Sequence, residues 1–235
     1  MNTIKYRKRL VFSKEGRLRF VGHLDLLRVF HRALNRAGIE LVFSQGFNPH
    51  PQISFSQPLS LGSCGKHEYM ELQLTREWDD TELLNRLNPH LPEGLHVSKC
   101  RTLPEDAKPV MSLATHALYE ISLPEKYTSE YASWLQDFLS QDEILIKKLA
   151  KYHGEKQEVT VDIKPLIESL ELISPCVLQL WCFCDNPKYL KPDRMMQAFW
   201  QHCGHPEAIR SEQICRQDLF REQEGIRRRL MDIIV

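Results

Sequence analysis

The sequence predicts an α+β fold of two tandem ferredoxin-like (βαββαβ) units with antiparallel sheets. Three observations carry this. Periodic segments run strand, helix, strand, strand, helix, strand, with one surplus strand, across the first hundred residues. A similar order recurs after Pro109. The two halves also end on related runs, Pro-Glu-Gly-Leu-His-Val-Ser-Lys-Cys-Arg from Pro92 and Pro-Glu-Ala-Ile-Arg-Ser-Glu-Gln-Ile-Cys-Arg from Pro206. The units are expected at residues 1–104 and 110–235, joined near Pro104–Pro109.

In the first unit, Tyr6–Ser13 reads as a strand that Leu18–Val21 continues or re-enters. Leu24, Leu27, Phe30, Leu34 and Ala37 recur at three- and four-residue steps, which predicts a helix ended by Gly38. Ile39–Phe43 and Ile53–Phe55 read as strands flanking a turn-rich loop, residues 44–51. Glu68–Leu74 alternates, setting Tyr69, Glu71 and Gln73 against Met70, Leu72 and Leu74, as a half-buried strand does. A short helix over Asp79–Leu87 and a strand over Leu95–Leu103 complete the unit. In the second, strands are expected at Ala117–Leu123, Ile144–Leu149, Glu158–Ile163 and Val177–Cys184. Helices are expected at Tyr127–Leu139 and Pro192–Trp200, and Ile209–Phe220 closes the unit.

Length and composition suit one large domain or two smaller ones. The chain has 235 residues, 42% of them apolar and 26% charged. The first residues lack an apolar core and cleavage site, so no signal peptide is expected, and no stretch reaches the roughly 18 apolar residues of a membrane span. A cytoplasmic protein without membrane contact is expected. Its seven cysteines are irregularly spaced. They include neither Cys-x-x-Cys nor the Cys-x-x-x-Cys-x-x-Cys triplet of a radical-SAM cluster, and they read as reduced thiols. No metal and no cofactor are expected.

The net charge of zero conceals an asymmetry. Residues 1–60 carry ten Lys/Arg against three acids, a local +7. This suggests an anionic partner, nucleic acid being the commonest, or a solvated basic face balanced by an acidic one elsewhere.

Three clusters could carry function. Gly22-His23-Leu24-Asp25 opens the first helix, whose N-terminus attracts anions. His23 there could donate to a phosphate or move protons, and the plainer alternative is that it caps while Asp25 sits favourably in the first turn. The loop holding Gln45, Gly46, Phe47, Asn48 and His50 combines a permissive glycine with Pro49 and Pro51, which stiffen the backbone around His50. Such loops more often position contacts than merely connect strands, and Phe47 could stack on a base or plug the core. The third cluster is Arg28, Arg32 and Arg36, four residues apart on one helix face, which with Arg17 and Arg19 could line a phosphate-binding groove. The catalytic candidates are therefore His23, Asp25 and His50.

The stretches Phe12–Phe20, Gly22–Phe30, Arg32-Ala33-Leu34 and Phe43–Pro51 resemble the radical-SAM-linked protein family. Val161-Asp162-Ile163-Lys164-Pro165 and Pro192-Asp193-Arg194 resemble its C-terminal half. Gly22 stands where that family usually has serine before His-Leu-Asp. The resemblance implies a partner more than an activity. Members occur alone or fused after a B12-binding-type radical-SAM module, which implies an accessory role to a radical-SAM protein. Their genes tend to lie beside those of an RNase E/G-type ribonuclease and of ribosomal proteins, which implies RNA or tRNA. Two alternatives stand beside this binding module. One is a metal-independent RNA-processing or RNA-modifying enzyme using His23 and His50; the other is a protein-interaction module without nucleic acid.

Overall fold

A computed structural model describes residues 6–152, 155–185, 188–208 and 214–233. The fold is mixed α+β, with four α-helices and a nine-stranded, mostly antiparallel sheet. In chain order the first half supplies β1 (Tyr6–Lys14), α1 (His23–Arg36), β2 (Ile53–Phe55), β3 (Cys64–Leu74), α2 (Asp80–Leu87) and β4 (Leu95–Leu103). β1 lies between β3 and β4, and β2 adds to the other edge of β3, every pairing antiparallel.

The second half supplies β5 (His116–Ser122), α3 (Tyr131–Ser140), β6 (Leu145–Tyr152), β7 (Glu155–Asp162), β8 (Ile167–Ser174), β9 (Val177–Phe183), α4 (Pro192–His202), β10 (Ile214–Gln223) and β11 (Ile226–Arg229). β5 lies between β9 and β10, β8 adds to β9 and β11 to β10, again all antiparallel. One short parallel ladder, Cys64 with Cys215 and Gly65 with Arg216, joins β3 to β10. The sheet therefore runs β4-β1-β3-β10-β5-β9-β8.

α1 forms where the sequence pattern places it. Leu26, Phe30, Ala33 and Leu34 face the core, and Gly38, at φ +67°, closes the helix while Ile39 N–H donates to Leu34 O at 2.9 Å. Leu24, expected in that apolar face, is instead 69% exposed, because the core stripe runs through Leu26. The Asp79 carboxylate caps α2, accepting from Thr81 N–H at 2.9 Å and Glu82 N–H at 3.0 Å.

β1 and β3 are buried on both faces. Leu10, Phe12, Met70, Leu72 and Leu74 pack with α1 and α2. Val11 and Tyr69 belong to the second core, with β5, β9, α3 and α4. The Tyr69/Glu71 side of β3, expected to face water, is consequently buried.

Several segments differ from expectation. Leu18–Val21 is not a strand: residues Gly16–Phe20 form a 3-10 turn, and the Lys14 ammonium donates to the carbonyls of Arg19 and Val21, which a neighbouring strand would otherwise satisfy. Ile39–Phe43 makes only isolated bridges, Leu41 to Leu74 and Phe43 to Pro51, because β2 takes the adjoining edge of β3. The Tyr127–Leu139 helix is split, with a 3-10 turn at Glu125–Tyr127 before α3. The segments expected at 144–149 and 158–163 pair with each other as a separate two-stranded sheet, and β8, which the sequence reading passed over, fills their place beside β9. Of the expected Ile209–Phe220 strand, residues 209–213 lie outside the described ones, and β10 runs from Ile214.

Candidate nucleic-acid interface

The basic N-terminal quarter divides into two populations. Arg7, Lys8, Arg9 and Lys14 alternate along β1, so its pleat sends them to opposite faces and both faces are covered. Arg9 is 1% exposed, donates to Glu71 through Nε (3.0 Å) and Nη2 (2.8 Å), and reaches the carbonyls of Leu230 (2.6 Å) and Ile233 (2.7 Å). Arg7 donates to the other Glu71 oxygen at 3.1 Å and to Ala107 O at 2.7 Å. Lys8 donates to Trp78 O, Asp80 Oδ1 and Thr102 Oγ1. Burial holds the Lys14 ammonium below the usual lysine range, with the nearby Glu68 carboxylate opposing. These four cations are occupied within the fold.

The second population is exposed. Arg17, Arg28, Arg32 and Arg36 are open to solvent, and Arg19 is half-buried with its guanidinium 4.9 Å from the Phe20 ring centroid. Arg28 donates to Asp25 Oδ1 at 2.8 Å, a surface pair of two well-exposed side chains. Arg36 donates to His90 O at 2.6 Å. Among the described residues, no hydrogen bond or ion pair engages the Arg32 side chain.

The loop at residues 44–51 is fixed at its neck. Ser44 N–H donates to His50 O at 2.9 Å, and His50 N–H donates to Ser44 Oγ at 3.0 Å. Within it Gly46 takes φ +128°, beyond the reach of ordinary side chains. His50 Nδ1 lies 2.9 Å from Asn48 O, and since a carbonyl only accepts, Nδ1 is the donor of this bond. Gln45, Asn48 and His50 are exposed, and Phe47 is fully so, which removes the alternative that it plugs the core. Phe43, at the neck, meets His31 of α1 edge-on at 5.9 Å. His31 lies three residues after Arg28, a helical neighbour of it, so this contact ties the neck of the loop to the α1 surface near Arg28.

His23 takes another position. Its ring packs against Phe55 at 5.2 Å and walls a cavity of ≈ 20 Å³ lined also by Lys14, Gln57, Glu68 and Tyr69. That space holds about one water. Neither Asp25 nor any of Gln45, Asn48 and His50 lines this cavity.

Sequence reasoning missed the charged network behind the cavity. Arg216 of β10 is wholly buried and grips Glu68 of β3, donating through Nε at 2.8 Å and also through Nη2, which reaches Gln57 O at 2.7 Å. Next to it the Tyr69 hydroxyl donates to Asp218, whose carboxyl burial pushes up. The signal was present as Arg216 and Asp218 alternating inside the strand-like run Ile214–Phe220, but their partner strand lies some 150 residues earlier. His116, Glu168 and Glu222 also converge, with ligand-type atoms within 4.8 Å of one another. Arg227 Nη2 stands 2.5 Å from an oxygen of each glutamate, so a guanidinium already holds the place a cation would take.

Among the described residues no helix is long and apolar enough to cross a membrane. No curated protein matches the sequence. The family model that matches spans residues 7–192, most of the chain and all of the exposed basic face. The chain belongs to this family, described as an uncharacterized protein conserved in bacteria (DUF2344).

Proposed function

We propose that the chain is an RNA- or tRNA-binding module, built of two tandem ferredoxin-like units, that works in the cytoplasm as the accessory of a radical-SAM enzyme. The pairing order supports the tandem reading. β4-β1-β3-β2 and β10-β5-β9-β8 follow the same antiparallel sequence of strands, the second with the β6–β7 hairpin inserted after its first helix. The radical-SAM partnership rests on the sequence resemblance.

The observation that carries the binding reading is the His31–Phe43 contact. It joins Phe43, at the neck of the braced loop that carries Phe47, to the α1 helix that bears the exposed arginines. Guanidinium groups supply the phosphate contacts that dominate nucleic-acid affinity, and an unplugged aromatic supplies a platform for a base. Gln45, Asn48 and His50 are exposed on the same loop, and their amide and imidazole groups are of the kind that reads base edges.

The test is the salt dependence of RNA binding by the purified chain. Affinity falls steeply with salt, and replacing Arg28, Arg32 and Arg36 together with glutamine flattens the log–log slope by up to about three, roughly one per lost phosphate contact. Absence of salt-dependent binding removes the RNA reading and leaves a protein-interaction module. Metal-free RNA cleavage that His23→Ala or His50→Ala abolishes, with affinity intact, makes the chain an enzyme instead. Affinity capture from bacterial cells with mass spectrometry tests the radical-SAM partner.

A further inference from the structure

We propose that Cys64 and Cys215 form a dithiol site at the seam of the two halves, which takes small-molecule disulfides and closes into a cross-strand disulfide. The two cysteines are direct partners in the short parallel ladder between β3 and β10. Neighbouring strands lie about 4.8 Å apart, inside the span of about 4.4–6.8 Å that a disulfide bridges between Cα atoms. In-register partners project to the same face of a sheet. Arg216 and Gly65, the next pair along, turn to the other side, where Arg216 holds Glu68. Among the described residues this is the one pair of cysteines in register on adjacent strands. Both thiols are free and half-buried, within reach of a small reagent.

The surroundings are charged. Lys66, two residues beyond Cys64, carries an exposed ammonium 2.9 Å from Glu15 and within electrostatic reach of both thiols. Glu120 pairs with Cys215 from the β5 side. Burial pushes the Cys215 thiol up to about 12, with Lys66 opposing. Either thiol can open the exchange and reach the same product, as when Cys64 attacks first.

The exchange balances without any further reagent. The Cys64 thiolate attacks one sulfur of the small disulfide and expels a thiolate, leaving a mixed disulfide on Cys64. Cys215 then attacks the Cys64 sulfur and gives its proton to the second departing thiolate. One protein S–S bond forms, two protein thiols are oxidised, and the small disulfide is reduced to two thiols.

The experiment treats the full chain with oxidised glutathione. Thiol titration then shows a loss of two of the seven free thiols, and peptide mapping without reductant recovers Cys64 joined to Cys215. Because the bond closes a loop longer than a hundred residues, the thermal midpoint rises by about 5–10 °C. Cys64→Ser and Cys215→Ser each abolish both the joined peptide and the rise, and Cys100→Ser changes neither. Glutathione retained separately on both cysteines, a joined peptide from a different pair, or an equal rise in Cys64→Ser overturns the proposal.

Discussion

The arginines of β1 and those of α1 lie within thirty residues of one another and contribute alike to the +7 of the first sixty residues, yet the fold uses them in opposite ways. Arg9 is sealed against Glu71 and three carbonyls; Arg32, on α1, is open to water. A charge count locates cations but does not say which are available to a partner. That depends on whether the element carrying them is covered on one face or two. α1 is covered on one face, so its polar stripe stays exposed to solvent. β1 is covered on both, so every cation on it needs an internal partner.

The sharpest way to break this contrast lies at Arg216 of β10, a second wholly buried arginine. Arg216→Leu strands Glu68 as an unpaired buried carboxylate and costs about 3–5 kcal/mol of stability, read by urea unfolding. The double variant Arg216→Leu/Glu68→Met recovers a large part of the loss, since the penalty comes from the orphaned charge rather than from the missing attraction. Arg32→Gln, by contrast, stays within about 0.5 kcal/mol of the parent protein. Equal costs for the two single variants would erase the distinction between structural and available cations.

A smaller effect separates the histidines. Burial first, and then the Arg227 guanidinium, hold the His116 imidazole below its ordinary value. A depressed histidine favours the folded state above the unfolded value of about 6.5, and that contribution is lost as pH falls below it. Acidification from pH 7 to pH 5 therefore lowers the midpoint of urea unfolding, and His116→Gln removes part of that dependence. A slope unchanged by His116→Gln would place the titrating group elsewhere.

How far these features were legible depends on sequence distance. α1 was legible because its period and its Gly38 stop are both local. β3 was legible as a strand but not as a strand buried twice, because the residues covering its second face, Leu230 and Met231 among them, come at the other end of the chain. β8 was masked by the β6–β7 hairpin, whose alternation competes for the same place in the order. At the candidate site the sequence singled out Arg17, Arg19, Arg28, Arg32, Arg36 and the loop, and of these arginines only Arg19 is not openly exposed, but the charge count of +7 also included Arg7, Lys8, Arg9 and Lys14, whose burial it gave no sign of. Their partners, Glu71, Asp80 and the carbonyls near residue 230, are joined to them only by folding. Nor could spacing reveal that His23 lines a cavity with Lys14 and Glu68 while His50 binds back to its own loop.

The smallest structural perturbation should give a clear functional signal. Phe47 contributes nothing to the core, being fully exposed, so Phe47→Ala leaves the unfolding midpoint unchanged to within about 0.5 kcal/mol. If the ring stacks on a base, the same change weakens binding of single-stranded RNA by about 1–3 kcal/mol, a loss of roughly five- to hundredfold in affinity. The salt slope should stay as it was, because stacking releases no counterions. Replacing Arg28, Arg32 and Arg36 should do the reverse and change the slope. Phe47→Trp serves as the control, since a larger ring in open solvent should hold or raise affinity. If Phe47→Ala destabilises the fold, the loop is packed in solution and the aromatic is structural. If it leaves both stability and RNA affinity untouched, the α1 face binds phosphate alone and the loop belongs to a different contact.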